Sequence, residues 1–485
     1  MTLSLSGCVV DGGGTVTQSH PFRALWVLMI GLFLIVVDST AVAVANPVLK
    51  NAFGVSYGDI LWVSTSYLLA FAALLLVGGR LGDRFGPKGV YLLGLALFSA
   101  SSLGCGTASS IDMLIAARVA QGVGAALLAP QIFTAVTRMF PPERRGRAMG
   151  VWGATTGVGL LAGPILGGVV LDGFGWQWIF LINVPIGLGG LALAMWLVPA
   201  LPGRPLQLDL IGALLSAVGI GLVVFGLQQG RADWSPTIWT AMLAGLVAIA
   251  AFVVWQAVAP DEPLIPLRLI AHRNFVLSTA GIGLVSFAFV AFVVPLMIFL
   301  QDGRGLSPIG AALLSAPMAL ATVALAPAVG RLVDRVHPGP VVVFGFALLA
   351  AALLWLAMGM APSTPVWRLV VPLTLVGVAG AFTWEPLAVI ASRALPPDVA
   401  GAGSALCNTA RQLGGALSTA SVAALTAALL GDEWTRAALA AAMAQSMWLP
   451  LSAAALGALT ALFFVSREPA TAAAARVRRD MSVPL

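Results

Sequence analysis

Four charged side chains stand inside long apolar runs of this chain: Asp38, Arg118, Glu385 and Arg411. Each would cost roughly 2.5–3.5 kcal/mol at the centre of a bilayer. A charge kept at that cost faces either a water-filled path or a partner of opposite sign. A carboxylate in such a place can carry a proton, and a nearby guanidinium can hold it in its ionised form. The competing reading is a buried pair that only fixes helix packing. Histidine offers no substitute carrier, because His20, His272 and His337 all fall in tails or loops.

The runs that hold these charges are membrane spans. The chain has 485 residues, 59% of them hydrophobic and only 9% charged. Soluble proteins carry about 25% charged residues, so lipid is the solvent this composition fits. A spanning helix needs about 20 mostly apolar residues. Fourteen segments qualify: 24–48, 60–79, 89–108, 111–138, 147–171, 178–200, 209–228, 237–258, 275–300, 307–329, 340–360, 369–392, 400–429 and 444–465. Asp38 then lies about 21 Å along span 1 at 1.5 Å per residue. Arg118 lies near the start of span 4, which runs the opposite way. Both reach the outer half at similar depth, so an ion pair between them is geometrically open. Cys105 and Cys407 fall in apolar runs and read as small packing residues. Cys8 follows no apolar stretch, so the segment before it is no signal sequence.

Orientation follows from Lys and Arg placement. With the N-terminus inside, 18 basic residues fall on the inner side and 5 on the outer side. Both termini are therefore expected in the cytoplasm. The net charge of +6 is loop charge of this kind and does not point to nucleic acid. A charged loop also repeats. Gly79, Arg80, Leu81, Asp83 and Arg84 recur as Gly330, Arg331, Leu332, Asp334 and Arg335, a shift of 251. The first copy follows span 2 and the second follows span 10. Two extra spans, 7 and 8, must therefore sit between two six-span halves, as in a duplicated transporter. The division is a tail 1–22, a first bundle 23–200, two linker helices 201–273, a second bundle 274–466 and a tail 467–485.

Two spans carry patterned small residues. Span 5 places Gly159, Gly163 and Gly167 four apart, with Pro164 and Gly168 beside them. Such glycines let a neighbouring helix approach closely, as a packing seam that can also seal a pathway. In span 4, Arg118 shares a helix face with Gln121 and Gly122. In the repeated loop, Asp83 or Asp334 could hold the start of a neighbouring helix or an arginine, and so latch one side.

Together these residues resemble the major facilitator superfamily, and within it the fourteen-helix drug/proton antiporter branch. The loop Gly79 to Lys88 is similar to its motif between helices 2 and 3. Arg118 to Gly124 resembles its helix 4 motif, and Gly159 to Gly168 the antiporter motif of helix 5. Asp38 to Pro47 and Trp176 to Gly187 resemble its motifs in helices 1 and 6. The likeness spans residues 24 to 466. It implies an all-α integral membrane protein with two six-helix bundles, two inserted helices and alternating access. It implies proton coupling at Asp38, proton transfer at Arg118 and a cytoplasmic gate at Gly79, Asp83, Arg84, Asp334 and Arg335. Pro87 departs from the loop pattern, where a basic residue is usual. Glu385 has no acidic counterpart in it. That side chain could recognise cationic cargo, take a second proton or face inner-leaflet water. Arg411 joins the proton-coupling candidates.

The expected function is export of amphipathic, cationic drugs or antibiotics from cytoplasm or inner leaflet in exchange for protons. A lipid or an endogenous metabolite is the alternative cargo. No cofactor is expected, since the proton gradient is the drive. No nucleotide loop, metal cluster or nucleophile–base motif points to an enzyme. The expected partners are small amphipathic substrates, protons and membrane lipids. The expected setting is a bacterial plasma membrane, as a monomer.

Overall fold

Lipid leaves a spanning backbone two ways to satisfy its own N–H and C=O groups, and this chain takes the helical one. The computed structural model describes residues 8–10, 16–18, 21–55, 57–229, 235–258, 263–306, 308–361, 364–395, 399–430 and 436–464. The tail 467–485, Arg231 and the side chains of Pro164, Arg268 and Arg436 lie outside the described residues.

The helices in chain order are α1 (Pro21–Phe53), α2 (Tyr57–Phe85), α3 (Pro87–Gly106), α4 (Ile111–Met139), α5 (Arg145–Phe174), α6 (Gln177–Leu181) and α7 (Asn183–Leu197). Then follow α8 (Leu210–Gln229), α9 (Pro236–Val258), α10 (Leu267–Ala271), α11 (Arg273–Ile298), α12 (Pro308–Arg335) and α13 (Pro338–Gly359). The last are α14 (Val370–Ala394), α15 (Ala400–Leu430), α16 (Arg436–Ser446) and α17 (Trp448–Ala461). The N-terminal tail holds a short antiparallel pair, Cys8–Val10 with Val16–Gln18.

Among the described residues, thirteen helices are long and apolar enough to cross a membrane. The fourteenth expected span is α15, 31 residues long but diluted by Gly, Ser, Thr, Asn and Arg. Helix boundaries follow local chemistry. Ser110 caps α4 by accepting from the Met113 amide at 3.2 Å. Gly86 takes φ +88° so that the chain can turn from α2 directly into Pro87 at the head of α3. Large apolar side chains point outward over the whole surface, among them Trp196, Leu210, Leu243, Val254 and Met358. In water such a surface would be an aggregation liability; in lipid it is the required one.

In each half, the first helix packs on the fifth: α1 on α5, and α11 on α15. The halves meet where α2 and α4 touch α15, and where α5 touches α12 and α14. The inserted pair α8–α9 covers the α2–α15 seam. Ala72 and Leu76 of α2, Ile220 and Val224 of α8, Phe252 of α9 and Ala405 of α15 form one buried cluster.

One carboxylate clasps that pair. Asp209, just before α8, accepts from the Gly212 amide at 2.7 Å, the Trp255 indole at 2.9 Å and the Gln256 amide at 2.6 Å. Gln256 in turn accepts from the Ile265 amide at 3.0 Å. Burial pushes the Asp209 carboxyl up, but these donors and the Leu264 amide outweigh it and hold the carboxyl below its usual 3.8. A lowered folded-state value means that the clasp stabilises fully above about pH 4 and fades as pH falls through that lowered value. Asp209→Ala is expected to cost about 1 kcal/mol at pH 7, as loss of a helix cap does. Thermal unfolding of the purified protein would show the gap from wild type closing below pH 4. A gap that persists there would show that the carboxylate charge is irrelevant to the clasp.

Candidate functional site

Five helices of the first half converge on Asp38. The side chain is 1% exposed, as is Arg118. Arg118 Nη1 lies 2.6 Å from Asp38 Oδ2, so the pair that depth allowed is formed. Asp38 Oδ1 accepts from Gln121 Nε2 at 2.9 Å and from Asn183 Nδ2 at 3.0 Å. Arg118 also donates through Nε to the Val63 carbonyl at 2.9 Å, and through Nη1 to Gln121 Oε1. Gln121 donates to Ser102 Oγ at 2.7 Å. The guanidinium lies over the Tyr67 ring, 4.2 Å from its centroid. Cys105 is buried as a packing residue would be, yet its thiol also reaches Gln121 Oε1 at 3.8 Å.

Helical spacing puts Arg118 and Gln121 on the face of α4 that meets α1 and α3. Ser102 and Tyr67 were not singled out in the sequence, and Asn183 entered only within the helix 6 resemblance of Trp176 to Gly187. The sequence marked neither Ser102 nor Tyr67, since Ser102 follows Ser99 and Ser101, and Tyr67 follows Ser64, Thr65 and Ser66.

The glycine stripe of α5 packs on α1 beside this cluster. A Cβ at Gly159 would sit 2.8 Å from Val36 Cγ1, and one at Gly167 3.3 Å from the Ala41 backbone. At Gly163 it would overlap the Thr40 hydroxyl, which is bonded to the Val36 carbonyl at 2.9 Å. Gly168 has open space there and is not part of this seam. The helix runs on through Pro164.

The two loop acids make matching bonds across the halves, at the end of the bundle rich in arginine loops. Asp83 of α2 accepts from the Gly401 and Ala402 amides at 2.9 and 3.0 Å, at the head of α15. Asp334 of α12 accepts from the Gly146 and Arg147 amides at 2.8 and 3.0 Å, at the head of α5. Each carboxylate thus satisfies orphan N–H groups and faces the positive end of a helix dipole. Each also meets an arginine of its own half: Arg138 at 3.4 Å from Asp83, and Arg393 at 3.5 Å from Asp334. The sequence left open which arginine an acid would meet, and named Arg84 and Arg335 only as residues of the gate. Arg84 instead lies over the Phe85 ring at 5.1 Å, and Arg335 is exposed. Gly79 and Gly330 let the backbones touch, since a Cβ on either would overlap the carbonyl of Gly401 or Gly146. Arg145 adds a bond to the Ser392 carbonyl, and Arg393 one to the Pro142 carbonyl at 3.1 Å. This end is closed.

Glu385 and Arg411 stand apart from the Asp38 cluster. Glu385 of α14 is 2% exposed and packs against Gly153 of α5 across the halves. Its Oε2 receives no hydrogen bond, and among the described residues no basic group lies within 4 Å. Arg411 of α15 is half-buried and donates to Asn408 Oδ1 at 3.1 Å. Its Nε has no acceptor.

A duplicated helical bundle with a buried ion pair in one half and mutual helix caps at one end is a transporter architecture. Comparison with known proteins agrees. Over 470 residues the chain is 48% identical to an uncharacterized MFS-type transporter of Mycobacterium tuberculosis, Rv1250, covering 92% of this chain and 81% of that one. It is 33% identical to the multidrug export protein EmrB of Escherichia coli (strain K12), over 81% of this chain and 77% of that one. Its fold also matches the crystal structure of the human organic anion transporter MFSD10, with TM-score 0.66 at 19% identity, covering 90% of this chain and 100% of that one. Residues 28–419 match the Major Facilitator Superfamily, and the chain is a multi-pass membrane transporter belonging to that family.

Proposed function

We propose that this protein exports amphipathic drug-like compounds in exchange for protons, by alternating access. The observation that carries this reading is the fully buried Asp38, held by Arg118, Gln121 and Asn183 from two other helices. A proton arriving on Asp38 turns an ion pair into a lone guanidinium. Leaving one partner of such a pair uncompensated costs about 3–5 kcal/mol. Arg118 must then move or find another partner, so protonation changes how α1, α4 and α7 are tied together. The similarity to EmrB, a multidrug export protein, supports the cargo class. The reading places both termini in the cytoplasm of a bacterial plasma membrane, with the protein a monomer among lipids.

One proton crossing 100 mV supplies about 2.3 kcal/mol, enough for a roughly fiftyfold gradient of a neutral compound. Liposomes holding the protein and an internal pH dye test the coupling directly, with ethidium as cargo. Wild type is expected to move protons with ethidium, and Asp38→Asn to lose that proton flux. Cargo movement with no proton flux in either protein would remove Asp38 from the coupling.

The closed end is the cytoplasmic gate in this reading. Asp83→Ala or Asp334→Ala removes two amide caps and an arginine contact. A charge-assisted bond is worth about 2 kcal/mol net, so the loss of even one of these bonds should favour the open gate by about thirtyfold. Spin labels on Glu143→Cys and Arg331→Cys would report a longer distance in both variants. Unchanged distances would mean that the caps do not hold the gate.

Glu385 is closed over by α5 in this state, so a cation reaches it only when the cytoplasmic side parts. Glu385→Gln is expected to weaken export of cationic compounds and to spare neutral ones. Equal loss of both would place Glu385 in gating instead of charge recognition.

A further inference from the structure

Two seams join the halves, and they differ on their lipid side. Over the α2–α15 seam lie α8 and α9. The chain leading into α8 is fastened to α2 by the Arg204 amide, which donates to the Asp83 carbonyl at 2.9 Å. Higher up, the rings of Phe225 in α8 and Trp62 in α2 lie 5.9 Å apart. The lips of the α5–α12 seam face outward instead: Val158 of α5 and Ala324 and Ala328 of α12 are exposed.

Small residues build this second seam. A Cβ at Gly150 would lie 2.8 Å from the Ala326 carbonyl oxygen, and one at Gly157 2.7 Å from Val323 Cγ2. Alone, such a stripe is only close packing. Behind it stands an acid. Glu385 reaches from α14 to Gly153, so closely that a Cβ there would overlap its Oε1. The side chain is 2% exposed and Oε2 has no hydrogen-bond partner. Among the described residues no basic group lies within 4 Å of it. The latch of this seam is Asp334 of α12, which caps the head of α5. When that cap lets go, the inner ends of α5 and α12 part, and the carboxyl behind Gly153 is uncovered. A carboxylate in apolar surroundings with no partner of its own favours an incoming cation.

We infer that the α5–α12 seam is the lateral entry by which amphipathic organic cations leave the inner leaflet, and that Glu385 is the group that meets them there. The apolar lips suit the body of such a compound, and the carboxylate suits its charge. The α8–α9 cover keeps the other seam closed to lipid. This inference rests on the export reading above, but its test uses neither transport nor a proton gradient, so the two can fail separately.

Carbodiimides form adducts with carboxyl groups. Dicyclohexylcarbodiimide dissolves in lipid, and its aminoalkyl analogue EDC stays in water. The full-length protein in vesicles is exposed to each, with EDC on both sides. Labelling of Glu385 is followed by mass spectrometry of the peptide, with Glu385→Gln as the blank. The lipid-soluble reagent is expected to label Glu385 about tenfold faster or more, and Asp334→Ala to raise that rate about tenfold or more. Ala328→Trp, on the exposed lip, should slow it about threefold or more and leave the EDC rate unchanged. Leu246→Trp, on the exposed face of α9, should change neither. If Ala328→Trp is not monodisperse, Ala154→Trp on the α5 lip carries the comparison. The cationic dye trimethylammonium-diphenylhexatriene should protect Glu385, and uncharged diphenylhexatriene should not. Equal rates with both reagents, or a lipid-reagent rate unchanged by a tryptophan on the lip, overturn the lateral entry. Protection by both dyes alike, or by neither, overturns the role of Glu385 in meeting the cation.

Discussion

A polar group inside lipid must find its partner within the protein, and nearly every feature of this structure answers to that rule. Backbone groups are satisfied by helices. Thr134, Thr137, Thr155 and Thr383 turn their hydroxyls back onto carbonyls of their own helices. Asp38 gathers three donors from two helices, and Arg118 also donates to Val63 and Gln121. Once partnering is nearly complete, the exceptions stand out. Glu385 Oε2 and Arg411 Nε, atoms of two charged side chains, are among them.

The same rule shapes the closed end. Helix heads leave amides without partners, and those of α5 and α15 lie between the halves. Each is capped by an acid from the other half. Closure is thus built twice from one device, with Asp83 and Asp334 in equivalent places. The glycines around them serve the same end. An amide can be capped only if the backbones come close, and Gly79, Gly146, Gly330 and Gly401 have no side chain to prevent it. Closing this end therefore satisfies four amides at once, and opening it hands them to water.

The fourteen spans, the two halves and the inserted pair were legible because lipid imposes length and loop charge on a sequence. The Asp38–Arg118 pair was legible through depth, since two helices running in opposite directions place those residues at one level. What escaped the sequence depends on helix rotation and on neighbours distant in the chain. Nothing in the text of span 6 says that Asn183 turns toward span 1. That Arg138 and Arg393 meet the loop acids was hidden too, because α4 and α14 bring them there from far along the chain, while Arg84 and Arg335 follow the acids directly and are turned away from them. Asp209 escaped for another reason. A lone acid at a span boundary reads as solvated, and its partners Trp255 and Gln256 lie two spans of chain away.

The duplication is faithful at the gate and unfaithful in the middle, and that contrast assigns work to each half. Arg138 and Arg393 occupy matching places in α4 and α14. Twenty residues before Arg138 stands Arg118, and twenty before Arg393 stands Leu373, fully buried. The second half therefore has no copy of the ion pair. Its central charges are Glu385 and Arg411, each without a partner of opposite sign among the described residues. A paired charge can change state only by exchanging its partner, which suits a proton. An unpaired charge calls for a partner from outside the chain, which suits cargo.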